Sequence, residues 1–234
     1  MKINFIVLAC SFKHHGRCVA GIDLTNKRLI RLISEDSMTN YAIPKNECDF
    51  NNRTLVPMDI IVVDIKRKAH RMGAQTENYY VDFPLIKKFL GKATEKDIKP
   101  YLTVGEKSPY PFDNKDPYLS KGYYHRQDRK DVSLWLMVGY KLKLILTKNS
   151  SDSDKTKISF SVYKYNKEEV VLENYSVTDP EYCIFDGKNR SGYTILGKAY
   201  LLISIGQDDD SDHYYKFVSG IIDVSVREDF FAIK

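Results

Sequence analysis

A chain of 234 residues with 43% hydrophobic and 29% charged residues, and with 17 Tyr and 11 Phe, carries enough apolar surface for one large or two small cores, which excludes a disordered chain. The net charge of +5 is unevenly spread: residues 1–131 hold 23 Lys/Arg against 16 Asp/Glu and residues 132–234 hold 13 against 15, so a polyanion would meet the first half. Cys10, Cys18, Cys48 and Cys183 form no CxxC pair and have no histidines at zinc-finger spacing, so neither a structural zinc nor a disulfide framework is expected, and reduced thiols in a cytoplasm are.

In chain order, "KINFIVLACS" is a continuous apolar, β-branched run that predicts a core strand. Its Val7-Leu8-Ala9-Cys10 mimics a lipoprotein cleavage site, but the apolar run is too short for a signal peptide, and no later segment suits a membrane span. "FKHHGR" supplies a turn with Gly16, "CVAGIDL" resumes the strand, and "RLIRLIS" (28–34) completes a three-stranded meander. "MDIIVVDIKRK" is a fourth strand. Residues 84–91 place Leu85, Ile86, Phe89 and Leu90 at helical intervals between Pro84 and Gly91, which predicts a short helix. The prolines and tyrosines of 103–131 predict an extended loop and a domain boundary near Asp131. Beyond it "VSLWLMVGYKLKLILTK", "KISFSVYKY", "EEVVLENYSVTDP", "KAYLLISIG" and "YYKFVSGIIDVSV" read as strands, the last two separated by the acidic tip "QDDDSDH", a solvated turn without EF-hand spacing. No repeat of fixed period is visible. The expectation is a mostly β protein in two units, 1–131 and 132–234.

Two clusters stand out chemically. In "CSFKHHGRCVAGIDL" adjacent His14 and His15 point apart, which disfavours a metal, and Cys18 beside Arg17 lacks a nucleophile signature. Ser11, Lys13, Gly16 and Arg17 around a tight turn suit either a phosphate cradle or an ordinary hairpin. "YLSKGYYHRQDRK" (118–130) combines Tyr118, Tyr123 and Tyr124 with Lys121, Arg126, Arg129 and Lys130, the mixture that stacks bases and meets phosphates on single strands, or else packs the loop onto its domain. "KRKAHR" (66–71) is a further phosphate candidate. Serine elbows, Walker loops, dinucleotide glycine patterns and zinc helices are missing from the sequence, so no catalytic residue, cofactor or metal is expected.

Four pieces, "SFKHHGRCVAGID" with "RLIRLIS", "AQTENYY", "YSVTDPEY", and "LLISIGQ" with "YYKFVSGII", make the chain resemble the bacterial dual OB domain-containing proteins. The resemblance implies two tandem OB-like β-barrels with minor helical insertions and a non-enzymatic nucleic-acid-binding or sensing module in a genome-defence or conflict setting. It carries the matching polar positions Ser11, Lys13, Arg17 and Arg31, then Gln75, Glu77 and Asn78, then Asp179 and Lys216. Lys13, Arg17 and Arg31 are expected on phosphates, Gln75 and Asn78 on sugar or base edges, and Tyr123 and Tyr124 in stacking, with Arg126 beside them. Where the family pattern reads "WIRPVS", Leu29 and Leu32 stand here, removing a possible aromatic face. A small phosphorylated ligand or nucleotide, bound by an enzyme or sensor, and a protein-interaction platform remain the alternatives.

Overall fold

The first strand is apolar on successive residues because both of its faces are buried. The computed structural model describes residues 1–13, 16–103, 110–126, 132–147, 155–164, 166–182, 194–206 and 211–223. Strands β1 (Lys2–Lys13), β2 (Gly16–Asp23) and β3 (Arg28–Ile33) form the expected antiparallel meander; His14 and His15 at its first turn lie outside the described residues. An excursion carries the two-residue strands β4 (Ile43–Pro44), β5 (Asp49–Phe50) and β6 (Arg53–Thr54). The chain returns as β7 (Asp59–Lys68), antiparallel to β1, and β8 (Asn78–Val81) enters between β7 and β3, parallel to β3. The order β1-β2-β3-β8-β7 thereby closes on β1 as a five-stranded barrel, with β9 (Lys88–Lys92) on the edge of β7 and α1 (Glu95–Ile98) after it.

The second half repeats the connectivity that no sequence period reveals. After β10 (Tyr118–Ser120) and α2 (Lys121–Arg126) come β11 (Leu134–Thr147), β12 (Lys155–Tyr163), β13 (Glu169–Val177), β14 (Thr194–Ile205) and β15 (His213–Asp223). The order β11-β12-β13-β15-β14 closes on β11, and among the described residues β13–β15 is its one parallel pairing, as β3–β8 is in the first ring. Each half is thus a small Greek-key barrel of the OB-like kind. Since β10 pairs with β15, the sheet of the second barrel reaches back to Tyr118, ahead of Asp131.

The three largest apolar clusters of the described residues follow from side-chain alternation. Ile3, Phe5 and Val7 face the interior of the first barrel with Val19, Ile30 and Leu32. Trp135, Met137, Leu201 and Ile203 face the interior of the second. The intervening Ile6 and Leu8 of β1, with Ala20 and Ile22 of β2, meet Leu134 and Leu136 of β11, Tyr200 and Leu202 of β14 and Ile222 of β15 in a core between the barrels. Gly220 permits this approach: a Cβ there would lie 2.1 Å from the Leu8 carbonyl oxygen.

Two local expectations are corrected. Residues 84–91 form no helix: Leu85 and Ile86 are buried in a turn against the first core, and 88–92 alternate outward and inward as an edge strand. The unpaired edge of β7 offers hydrogen bonds that a helix of under 12 residues cannot rival, and the Phe89 ring stacks on Phe50. Segment 103–131 is also more ordered than a loop where it is described, since it contains β10 and α2.

Two polar residues expected at a binding surface instead fasten the second barrel. Lys216, 1% exposed, donates from Nζ to the carbonyl oxygens of Pro111 (3.0 Å) and Asn114 (2.5 Å), pinning that segment across the barrel. Asp179 accepts from the backbone N–H of Ile221 (2.8 Å) and of Glu181 (3.0 Å). Burial pushes the Lys216 amine down to about 7 and the Asp179 carboxyl up to about 7.

Two predictions follow from this packing. Gly220→Ala must move β15 off Leu8, at a cost of about 1–3 kcal/mol, and should lower Tm by several degrees, whereas Gly122→Ala in α2, with open space around it, should leave Tm unchanged or slightly raised. The stabilising contribution linked to Lys216 is present above its unfolded value of 10.5 and lost as pH falls through 7; that linked to Asp179 is present below 3.8 and lost as pH rises through 7. Thermal melts between pH 7 and 9 should therefore show Tm rising with pH in the parent chain, and Lys216→Met should flatten that rise while lowering Tm at every pH.

Candidate functional site

The ends of β1 and β2, the middle of β3 and the segment before β8 meet the second barrel at a cleft of about 390 Å³. Ser11, Phe12, Lys13 and Cys18 form one wall, Arg31, Asn40 and Gln75 the next, and Thr178, Ser204–Gly206, Tyr215 and Phe217 the far side. Pairing of Ser11 with Cys18 sets the first wall, and the Ser11 hydroxyl contacts the Cys18 carbonyl at 3.4 Å. On β3, Ile30 and Leu32 enter the barrel core, so Arg31 between them faces outward into the seam between barrels. Gly206 makes room for Phe217, whose ring would stand 2.8 Å from a Cβ at that position.

Arg31 is the electrostatic centre of this region. It is 1% exposed, and its Nη1 donates to Asn78 Oδ1 (2.8 Å) and to Ser133 Oγ (3.3 Å) of the second half. Its Nη2 is buried with no hydrogen-bond partner. Burial holds the Lys13 amine below its ordinary value; Cys18 opposes that shift, and the nearby Arg31 charge adds a smaller lowering effect. The lining contains these two cations and, among the described residues, no carboxylate. A desolvated pair of cations with an unfilled donor, beside Ser11 and Gln75 and flanked by Phe12, Tyr215 and Phe217, can receive an anion and an aromatic ring together.

The structure brings four of the expected residues, Ser11, Lys13, Arg31 and Gln75, to the lining. Gln75 also spans the barrels, donating from Nε2 to the Ile205 carbonyl (3.0 Å). Asn78 sits behind Arg31, accepting from it and donating to Gln75 Oε1 at 3.4 Å. Glu77 is a fastener: Oε1 accepts from the backbone N–H of Ser133 (2.5 Å) and Leu134 (3.2 Å), and Oε2 from the Ser133 hydroxyl (2.5 Å). Arg17, 6% exposed, lies 4.2 Å from the Phe12 ring centroid with Nε and Nη1 unpartnered, behind the cleft wall instead of on it.

The expected stacking residues change role. Tyr124 is a core residue of the second barrel, its hydroxyl donating to the carbonyls of Ala74 (3.1 Å) and Val132 (3.2 Å), so its ring has no open face. Half-buried Tyr123 packs against the same core and reaches the Asp113 carbonyl at 3.4 Å. The side chain of Arg126, with Arg129 and Lys130, lies outside the described residues, as does Cys183. Asp179 and Lys216 hold backbone, as above, and line nothing here. In the basic run 66–71, Lys66 pairs with Glu35 and Asp82 and Arg67 pairs with Glu35, while Lys68 and Arg71 line a separate outer groove of about 380 Å³ with Arg28 and Tyr79.

Phe12, Asn40, Thr178, Tyr215 and Phe217 were not singled out from sequence. Four of them fall inside the pieces that carried the family resemblance, and all the lining residues except Asn40 do so. Segments far apart in the chain thus converge on one cleft. Among the described residues no group of three or more His, Cys, Asp or Glu is placed to hold a metal, and no helix is long and apolar enough to cross a membrane.

No curated protein and no solved structure matches the chain. A family model does: that of the dual OB-containing domain, over residues 3–221, which takes in both barrels and every residue of the cleft. The chain therefore belongs to the family of proteins with a dual OB-containing domain.

Proposed function

We propose that this protein is a non-enzymatic nucleic-acid-binding module of the bacterial cytoplasm, of the kind a defence system uses to sense nucleic acid, and that it binds through the cleft between its barrels. The observation that carries the reading is the buried, unpartnered Nη2 of Arg31 in a lining that also holds Lys13. A buried donor of a charged group left unfilled costs about 1–3 kcal/mol or more, and a phosphate oxygen at that point removes the cost. OB barrels commonly receive oligonucleotides on the face of strands 2 and 3 between the loops joining strands 1–2 and 4–5. In the first barrel those elements are β2, β3, the end of β1 that leads into the β1–β2 turn and the segment before β8, which supply Cys18, Arg31, Lys13 and Gln75. The aromatic faces come from the other barrel: Tyr215 is 47% exposed, beside Phe217.

Fluorescence anisotropy with single- and double-stranded DNA and RNA at two salt concentrations tests the reading. A single-stranded form is expected to bind best and to weaken with salt. Lys13→Ala should reduce affinity about tenfold and flatten the slope of log K against log salt by about 0.7, the loss of one phosphate contact on a single strand. Lys164→Ala, which removes only a surface pair with Glu168, should change neither. Equal affinity and equal salt slope in the parent chain and in folded Lys13→Ala would show that the cleft is not the site.

A further inference from the structure

Building on the reading of the cleft as the nucleic-acid site, we infer that it takes a single terminal nucleotide with its phosphomonoester, supplied either by a free nucleotide or by the phosphorylated end of a strand, and not the interior of a strand. Three features of the cleft point to an end.

The first is size. Strand-binding OB folds occupy about 4–16 nucleotides, whereas a cavity of about 390 Å³ lies near the lower limit for small-molecule pockets, roughly 300–1,000 Å³. The second is closure. The backbone N–H of Phe12 donates to the Thr178 carbonyl (2.9 Å), and Gln75 Nε2 donates to the Ile205 carbonyl (3.0 Å). All four residues line the cleft, so two hydrogen bonds in its walls join the barrels, and a strand threaded between the barrels would have to break them. Behind them, Glu77 and Ser133 tie the two halves from the other side of Arg31.

The third is charge. An internal phosphodiester carries one negative charge, whereas a terminal phosphomonoester carries about −1.5 to −2 near neutral pH and presents three acceptor oxygens. Lys13 and Arg31 are two neighbouring cations without a carboxylate in the described lining, and the Ser11 hydroxyl adds a third polar group. A dianion balances that pair; a diester leaves one charge uncompensated in a site partly removed from water. The base of the same nucleotide then meets Tyr215 or Phe217, so phosphate and ring are read within one unit.

The test uses the full chain and internally labelled 12-nucleotide single strands of one sequence: hydroxyl at both ends, phosphate at the 5′ end, phosphate at the 3′ end, and covalently circular. One of the phosphorylated strands is expected to bind at least tenfold tighter than the hydroxyl and circular forms. The corresponding nucleoside monophosphate, but not the nucleoside, should displace it. Lys13→Ala, at the rim and outside the Arg31–Asn78–Ser133 contacts, should abolish the preference for phosphate while leaving Tm unchanged. A rise in Tm with the monophosphate but not the nucleoside, with no binding of any strand, also supports the inference, assigns the ligand to free nucleotide and overturns the strand-binding reading. Equal binding of circular and phosphorylated strands overturns the inference but leaves the cleft as a nucleic-acid site if Lys13→Ala still weakens it. Absence of binding by every strand and by the monophosphate overturns both.

Discussion

The guanidinium of Arg31 is the constraint around which the region between the barrels is arranged. A cation sealed from water must be compensated by hydrogen bonds, because the effective penalty for an uncompensated buried ion is several kcal/mol. Asn78, one pairing away on β8, and Ser133, at the entrance to the second barrel, receive one of its nitrogens. Ser133 is itself fixed by Glu77, whose carboxylate accepts its N–H and hydroxyl, and Gln75 reaches the Ile205 carbonyl beside the same seam. The polar network thus has members in both halves. The apolar core from Ile6 to Ile222 brings the barrels together without directional preference, and the network selects the relative placement at which its donors and acceptors meet.

That division of labour explains why strands were easier to read than contacts. Runs such as "INFIVLA" and "LWLMV" announce strands by apolar, β-branched and aromatic content. Their loss of alternation has a specific cause here: Phe5 and Val7 fill the first barrel while Ile6 and Leu8 fill the core between barrels, and Trp135 and Met137 are divided from Leu134 and Leu136 in the same way. The short segment at 84–91 misled because Leu85, Ile86 and Phe89 are spaced equally well for a helix or for a turn leading into an edge strand. The choice was made by the free edge of β7, which a local window does not contain.

Side-chain roles were legible by type but not by destination. Ser11, Lys13, Arg31 and Gln75, which stand out in the sequence as polar positions, are gathered by the structure in one cleft. Sequence reasoning could not separate a lysine facing a cavity from Lys216, which donates to the Pro111 and Asn114 carbonyls more than 100 residues away in sequence. Nor could it tell an exposed tyrosine from Tyr124, whose neighbours in sequence are polar while its neighbours in space are the second core and the Ala74 carbonyl. In each case the deciding partner is brought close only by barrel closure.

The missing aromatic residue on β3 makes the same point about the site. With Leu at 29 and 32, the first barrel offers no ring at either place: Leu32 is wholly buried in its core, and Leu29 lies along the outer groove. The rings nearest Arg31's cleft are instead Phe12, Tyr215 and Phe217, two of them on β15 of the other barrel. Phe12 is in turn backed by Arg17, a buried cation 4.2 Å from its centroid. A single OB-like barrel with these residues would have cations on an open face and no aromatic partner opposite. Docking the second barrel supplies the rings, withdraws water from Lys13 and Arg31, and so strengthens their attraction for an anion, at the cost of the length of strand the open face would otherwise admit. The affinity we infer for a compact phosphorylated aromatic unit, and the poor accommodation we infer of a continuous strand, would then be two consequences of one act of packing.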